Sequence, residues 1–326
     1  MQLLLTVLLL AAPARPSDTW GDEVIGAVGS HVIDRGESLI EIARQYDVGY
    51  NAMTRANPEC DPFVPEAGAL AIIPTGWILP RAAAPGTVVV NLSEMRLYFF
   101  PLSPGPPLTF PVGVGSEGWE TPLGTFKVTA KQHNPTWYPP DSVRKEDPEL
   151  PPSVPPGPDN PLGTHALRLS KGSILVHGTN KPWGVGRKVS HGCLRLYPED
   201  IPHLYKLVGV GTPVRMVREP VKVGLQRGRV YVEAHDDPDI RIDVLAESKR
   251  LLTSRKLIDR VDAHKLQSVT RELKGVPVDV SMDGPVDVSA NLRTPNPSPR
   301  PGDQSPIRQL QAARGRTLER ARALKE

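Results

Sequence analysis

From Thr87 to Val217 the apolar residues fall in continuous short runs and in period-two alternation, punctuated by proline and glycine. That pattern builds strands, not long helices. It predicts strands over residues 87–92 and 96–100, a hairpin turning at Ser93-Glu94, and further strands over 108–114, 124–130, 166–169, 174–176 and 214–217. One helix is expected over 197–208, with Pro198 near its start, where a missing N–H costs nothing. Between the fourth and fifth strands, residues 133–163 form a long proline-rich loop carrying Trp137 and Tyr138. A loop of that length in a compact domain is commonly functional, so it reads as the wall or lid of a site. The expected fold here is a mostly β sandwich with one helix.

The rest of the chain is divided by composition. The chain has 37 prolines in 326 residues and only 39% hydrophobic residues, against a usual proline content of about 5%, so linkers and tails are expected. Residues 1–14 are a short apolar run ending in Ala12-Pro13-Ala14 and read as an export signal, although no Lys or Arg precedes the run. Residues 15–29 read as linker, 30–75 as a compact unit and 76–86 as a second linker. Residues 87–217 form the β domain. Residues 218–275 form a hairpin, turning at Arg227-Gly228, followed by a charged helical segment from 239. Residues 276–326 read as a basic tail too poor in apolar residues to bury a core. The formal net charge of +3 is too small to argue for nucleic acid.

The chemistry concentrates in HGTNKPWGVGRKVSHGCLR, from His177 to Arg195. It holds one of the two cysteines and two of the eight histidines. A thiol is mostly protonated at neutral pH, with a pKa near about 8.5, and needs a base to become a nucleophile. His177 ends an apolar strand, and glycines at 184 and 186 allow the chain to return Cys193 to it. The amides of His191, Gly192 and Cys193 converge on one point if Gly192 makes a tight turn, giving an oxyanion site. His177 needs an acceptor on its second ring nitrogen, and the Gly178 carbonyl is the simplest. Two other readings stay open on these residues alone: His177, His191 and Cys193 as zinc ligands, and Cys193 as a buried structural thiol. A Cys60–Cys193 disulfide is disfavoured, because the two lie in separate units. His133, His165, His203 and His235 receive no catalytic role.

Within residues 30–75, the expected order is β-α-α-β. Val32-Ile33 starts it, and a helix follows from Ser38 to Tyr46 with Leu39, Ile42, Ala43 and Tyr46 on one face. A second helix begins at Tyr50 and stops at Asn57-Pro58, and residues 70–73 close the unit. The segments Gly36-Glu37-Ser38-Leu39, Ile42-Ala43, Tyr46 and Ala56-Asn57-Pro58 resemble the LysM module, a small peptidoglycan- and chitin-binding domain. Cys60 has no counterpart in that pattern.

Ser190-His191-Gly192-Cys193-Leu194-Arg195, with His177-Gly178 upstream, resembles the L,D-transpeptidase (YkuD) catalytic domain. So does Val112-Gly113-Val114-Gly115 leading to Thr121-Pro122-Leu123-Gly124-Thr125-Phe126. The loop ending Pro156-Gly157-Pro158-Asp159-Asn160-Pro161-Leu162-Gly163 and the hairpin at 221–234 are similar to those of the Gram-negative subgroup. A thiol acting as a nucleophile is expected here to have a low pKa. The resemblance implies that Cys193 is the nucleophile and His177 the general base, with Ser190, His191, Gly192, Arg195 and Gly178 shaping the site. It implies attack on the meso-diaminopimelate–D-alanine bond of a tetrapeptide stem and transfer to an amine, of a second diaminopimelate or of an outer-membrane lipoprotein. It implies peptidoglycan as partner, carbapenems as covalent inhibitors, a periplasmic location, and no metal or cofactor. A hydrolase on the same fold, an L,D-carboxypeptidase or amidase, and an inert wall-binding protein are the competing readings.

Overall fold

The computed structural model describes residues 22–103 and 105–282. The expected export signal, residues 15–21 and residues 283–326 lie outside the described residues. The described chain opens with β1 (Val24–Gly26) and β2 (Gly29–Val32), followed by α1 (Leu39–Gln45), α2 (Tyr50–Ala56), β3 (Leu70–Ile73) and β4 (Gly76–Ile78). β2 pairs antiparallel with β3, which makes a βααβ unit. Its first strand lies at Gly29–Val32, just ahead of the expected Val32-Ile33.

Local chemistry accounts for the two helices of the unit. Ser38 caps α1 by accepting from the Glu41 N–H, while Glu41 reaches back to the Ser38 N–H, a complete capping box. Leu39, Ile42 and Ala43 turn inward onto Ile33, Val48, Met53, Ala71 and Ile73. After α2, the buried Asn57 side chain donates to the carbonyls of Met53 (2.9 Å) and Ile72 (2.8 Å) and accepts from the Ile72 N–H (2.6 Å). This one amide ties the helix end to β3.

Both flanking segments expected to be linkers contain strand. β1 pairs antiparallel with β4, Val24 opposite Ile78 and Gly26 opposite Gly76. Three-residue strands offer too few positions for a period to show, which is why their sequence looks like linker.

The β domain runs β5 (Thr87–Asn91), β6 (Arg96–Phe100), β7 (Leu108–Pro111), β8 (Val114–Gly115), β9 (Gly124–His133), α3 (Asp141–Glu146), β10 (His165–Leu169), β11 (Leu175–His177), β12 (Lys188–Ser190), β13 (Leu194–Arg195), α4 (Ile201–Leu207) and β14 (Pro213–Val217). Eight strands make one curled sheet in the order β13-β11-β10-β9-β14-β5-β6-β7, and β8 pairs separately with β12. The mostly β fold is as expected. β5 and β6 are buried on both faces, the condition that makes a strand read as a continuous apolar run. One face, with Val88, Val90, Leu97, Phe110 and Phe126, shares a core with Leu196 and with Ile201 and Leu204 of α4. The other, with Val89, Tyr98 and Phe100, is covered by Leu79 and Ala83 of the segment read as linker. Each such large apolar side chain contributes roughly 1.5–3 kcal/mol.

Four details differ from the sequence reading. The strand expected over 108–114 splits: β7 ends at Pro111, the Val112 N–H makes one more bond to the Met95 carbonyl of the neighbouring turn, and β8 then joins β12 instead. The helix expected over 197–208 begins at Ile201, so Pro202, not Pro198, occupies its first turn. The proline-rich loop holds a short helix, α3. The folded body also runs past residue 276, where the basic tail is expected to start.

The C-terminal part comprises β15 (Val221–Gln226), β16 (Arg229–Ala234), α5 (Val244–Ser254), α6 (Ala263–Glu272) and β17 (Val278–Asp279). The segment read as one helical stretch is two helices, each capped by an aspartate: Asp243 accepts from the Ala246 N–H, and Asp262 from His264 and Lys265. β17 pairs with β16, and Val280 joins the core of Val221, Val230, Val232, Leu252 and Leu266. Residues 276–282 therefore belong to the folded body. Their sequence hides this because Val276, Val278 and Val280 stand amid polar residues.

The three parts meet at the buried Lys222 ammonium. It donates to the Ile78 carbonyl (2.7 Å), to Glu94 (2.8 Å) and to Tyr98 Oη (3.2 Å). Glu233 lies 2.9 Å away and accepts from the Ile78 N–H at 2.6 Å.

Candidate active site

β11 lies between β10, antiparallel to it, and β13, parallel to it. In the parallel pair Val176 stands opposite Leu194 and His177 opposite Arg195. Paired residues share a face, and so do residues two apart on one strand. His177 and Arg195 therefore stand on the same side of two strands, about 4.8 Å apart laterally, and Cys193 immediately precedes β13. The Leu175 N–H donates to Cys193 Sγ at 3.4 Å.

His177 is buried, and its Nδ1 lies 2.6 Å from the Gly178 carbonyl oxygen. A carbonyl only accepts, so Nδ1 carries the proton and Nε2 is left with its lone pair. Burial, and then the Arg195 charge, push the imidazole down to about 4, against a smaller opposite pull from the Gly178 carbonyl. Close packing holds the ring's neighbour: a Cβ on Gly178 would come 2.9 Å from Ile201 and 3.3 Å from the Leu162 carbonyl.

Burial pushes the Cys193 thiol up, and the Leu175 N–H and the charges of Arg195 and Arg168 oppose this without reversing it. The expectation of a low-pKa thiol is corrected accordingly: desolvation outweighs the nearby guanidinium. Arg195 is itself mostly buried, and its Nε has no hydrogen-bond partner among the described residues.

The turn that presents the thiol is pinned by two side-chain hydrogen bonds. Gly192 has φ +94, in the left-handed region that favours glycine. Its carbonyl accepts from Thr121 Oγ1 at 3.1 Å, and the Cys193 carbonyl accepts from Ser190 Oγ at 2.6 Å. Thr121 Oγ1 also accepts from the Gly115 N–H at 2.9 Å. His191 points outward. Its Nε2 is 3.1 Å from both Glu146 oxygens, and its ring tilts against Trp119 at 4.9 Å between centroids.

The proline-rich loop comes back over the site through that Glu146 contact. Its backbone is organised by the fully buried Asn160, whose amide donates to the carbonyls of Pro135, Val154 and Pro155 at 2.8–3.1 Å. Asn160 Oδ1 in turn accepts from the Leu162 N–H. At the loop's neck the Asn134 N–H donates to the Thr164 carbonyl, and the rings of His133, His165 and Tyr205 pack together.

The seven site residues expected from sequence thus stand around one turn. Thr121, Glu146, Trp119 and Asn160 are additions from the structure. Thr121 and Asn160 sit inside motifs whose residues carry no contact information on their own. Glu146 and Trp119 carry no local signal, because only the fold brings them to His191.

Among the described residues, the one set of three metal-ligating groups with donor atoms within 4.8 Å of one another is Glu94, Glu233 and His235. It is not the His177, His191 and Cys193 set. Lys222 already bonds both of those carboxylates, so the cluster is an ion-pair network. Both cysteines are free thiols.

A family profile described as "YkuD: L,D-transpeptidase catalytic domain" matches residues 85–216. The probable L,D-transpeptidase YcfS of Escherichia coli (strain K12) is 38% identical over 294 residues, 83% of this chain and 90% of that protein. The chain belongs to the L,D-transpeptidase family. The probable L,D-transpeptidase YbiS of the same strain is 35% identical, over 82% of this chain and 92% of that protein. Among solved structures, the catalytic domain of the E. faecium L,D-transpeptidase acylated by ertapenem is 20% identical, with a TM-score of 0.32, over 40% of this chain and 95% of that one. The stretch from His177 to Arg195 lies inside the matched L,D-transpeptidase domain.

Proposed function

We propose that this L,D-transpeptidase uses Cys193 as its nucleophile and His177 as its general base on peptidoglycan stem peptides. The observation that carries the assignment is the 2.6 Å bond from His177 Nδ1 to the Gly178 carbonyl. It commits the ring to one tautomer, with Nε2 left as the basic nitrogen. The thiol is raised and the imidazole lowered, so the resting pair is neutral. The proton then leaves sulfur for Nε2 as sulfur attacks, in the manner of a general base.

The thiol adds to the carbonyl of the meso-diaminopimelate L-centre, which becomes an oxyanion. The Gly192–Cys193 peptide is trans, so with its carbonyl held by Thr121 its N–H points the opposite way. The Cys193 N–H and the Arg195 charge are the donors best placed for that oxyanion, each donor of this kind being worth roughly 2.7–4 kcal/mol. Collapse returns the His177 proton to the departing D-alanine nitrogen and leaves a thioester. An acceptor amine then attacks the thioester, His177 takes its proton, and the Cys193 thiol is released.

The acceptor is a second diaminopimelate or a lipoprotein lysine. The βααβ unit at 30–75 serves as a LysM module that holds the enzyme on wall glycan, and residues 1–14 export the chain to the periplasm. Carbapenems acylate Cys193. The test is incubation with purified sacculi and muropeptide analysis. Dimers with 3–3 links support transfer, and trimmed tripeptides alone point to hydrolysis. Unchanged product with Cys193→Ala removes the nucleophile assignment.

A further inference from the structure

The βααβ unit touches the β domain at the loop that joins the two proposed catalytic residues. The Tyr50 N–H donates to the Val185 carbonyl at 3.2 Å, and the Asn51 N–H to the Gly186 carbonyl at 3.1 Å. Gly49 and Gly186 meet backbone to backbone. A Cβ on Gly49 would stand 2.7 Å from the Gly186 Cα, and one on Gly186 would stand 2.4 Å from the Gly49 Cα. The Arg187 guanidinium lies over the Tyr50 ring at 4.6 Å.

The contact continues on both sides of the loop. Arg44 of α1 makes a two-pronged ion pair with Glu199, at 2.7 and 2.9 Å. Tyr197 Oη donates to the Val48 carbonyl at 3.0 Å, and Arg96 donates to the Asp47 carbonyl at 2.8 Å. A bidentate arginine–carboxylate pair fixes orientation as well as distance. This is a specific docked interface, where a flexible tether needs none.

From the docked loop to the nucleophile is a short, hydrogen-bonded path. After Gly186, the Arg187 carbonyl accepts from the Val114 N–H at 2.9 Å, and β12 then pairs with β8. β12 ends at Ser190, whose hydroxyl holds the Cys193 carbonyl. The interface glycine is thus within one short strand of the group that sets the nucleophile's turn.

We infer that the βααβ unit is a positioning element of the catalytic site: by holding Val185 and Gly186 through Gly49, Tyr50 and Asn51, it sets the Ser190–Cys193 turn. Gly49, Arg44 and Glu199 act through that turn and touch no reacting atom. The inference rests on Cys193 being the nucleophile. It makes the unit part of the catalytic apparatus, beyond any role in holding the enzyme on the wall.

Gly49 separates this role from simple folding. Its own φ is −77, which any residue adopts, so a larger side chain there disturbs the contact and leaves the backbone of the unit at ease. The experiment uses full-length protein, with the acylation rate of Cys193 by a carbapenem followed by intact mass. The pH profile of iodoacetamide alkylation is measured in parallel. Gly49→Val is expected to slow acylation at least about fivefold and to shift the alkylation midpoint, with every molecule still titrating as active. Arg44→Glu and Glu199→Arg are each expected to slow it, and the double reversal to recover most of the rate. Wild-type rates in Gly49→Val, or a double reversal no faster than the single variants, overturn the inference. A wild-type enzyme that is not acylated, or a Cys193→Ala protein that is, overturns the nucleophile assignment instead. In that case the iodoacetamide profile of Gly49→Val still decides whether the unit sets the turn.

Discussion

Thr121 Oγ1 bridges two backbone groups, donating to the Gly192 carbonyl at 3.1 Å and accepting from the Gly115 N–H at 2.9 Å. The bridge ties the nucleophile's turn to β8. Thr121→Val keeps the shape and removes both bonds, leaving two buried backbone groups unpaired at about 1–3 kcal/mol each. Gly192, at φ +94, is then free to relax. The expected result is a folded protein whose Cys193 acylation falls about tenfold or more, with Thr121→Ser retaining most of the rate. Stopped-flow or mass-spectrometric acylation kinetics check it. Equal rates for Val and Ser variants would remove the bridge from the mechanism.

The neutral thiol–imidazole pair has a pH signature. His177 is lowered to about 4 and Cys193 is raised, so no thiolate–imidazolium plateau is expected near neutrality. Alkylation of Cys193 by iodoacetamide should climb steadily toward alkaline pH. Stability carries the matching signature. The folded imidazole binds its proton less readily than the unfolded one, so the unfolded state holds more protons between pH 6.5 and about 4. Stability then falls as pH drops through that window, by roughly 3 kcal/mol. Urea melts across that range should flatten in His177→Asn. An alkylation plateau at about pH 5–7 would show an ion pair instead.

Much of this site is legible in the sequence, because its key residues are close together in the chain. His177 and Arg195 face each other on two paired strands, Ser190 ends β12, and Gly178, Gly192 and Cys193 lie in the connecting segments. The glycine requirement and the apolar strand are local properties. Partners at long range are not legible: Thr121 is 71 residues from Gly192 and Glu146 is 45 from His191. The segments flanking the βααβ unit look like linkers for the same reason. β1 and β4 exist because they pair with each other across a long stretch of chain, and neither has an internal period. The helix start at Ile201 is ambiguous in sequence, since Pro198 and Pro202 both satisfy the proline rule and only the Tyr197–Asp200 turn decides.

Asn160 should control the proline-rich loop. Its amide meets the carbonyls of Pro135, Val154 and Pro155, and its oxygen holds the Leu162 N–H. Leu162 and Gly163 pack on Gly178. Asn160→Ala should therefore loosen residues 134–163 and weaken the Glu146–His191 contact. Limited proteolysis is expected to cut the loop several times faster than in the wild type, with the melting temperature of the sheet core little changed. Unaltered cleavage would mean that packing alone orders the loop.

Lys222 joins the N-terminal ribbon, the β5–β6 hairpin and the C-terminal sheet through Ile78, Glu94, Tyr98 and Glu233. Burial pushes its ammonium down, but the two carboxylates outweigh burial and hold it above its ordinary value. Glu233 is likewise pushed up by burial, and Lys222 and His235 outweigh this and hold it below the usual carboxylate range. Lys222→Ala leaves two buried carboxylates without their cation and should cost about 3–5 kcal/mol. Lys222→Met with Glu94→Gln and Glu233→Gln should recover much of that, because no uncompensated charge remains. The sign with pH follows from the directions. The Glu233 contribution is complete above the unfolded carboxylate range and is lost as pH falls through its lower folded value. The Lys222 contribution is complete below the unfolded lysine value and is lost as pH rises through its higher folded one. Guanidinium melts of wild type and Lys222→Ala at several pH values check this. The difference between them should be widest near neutrality and shrink toward strong acid, where the carboxylates are protonated and no longer need the ammonium.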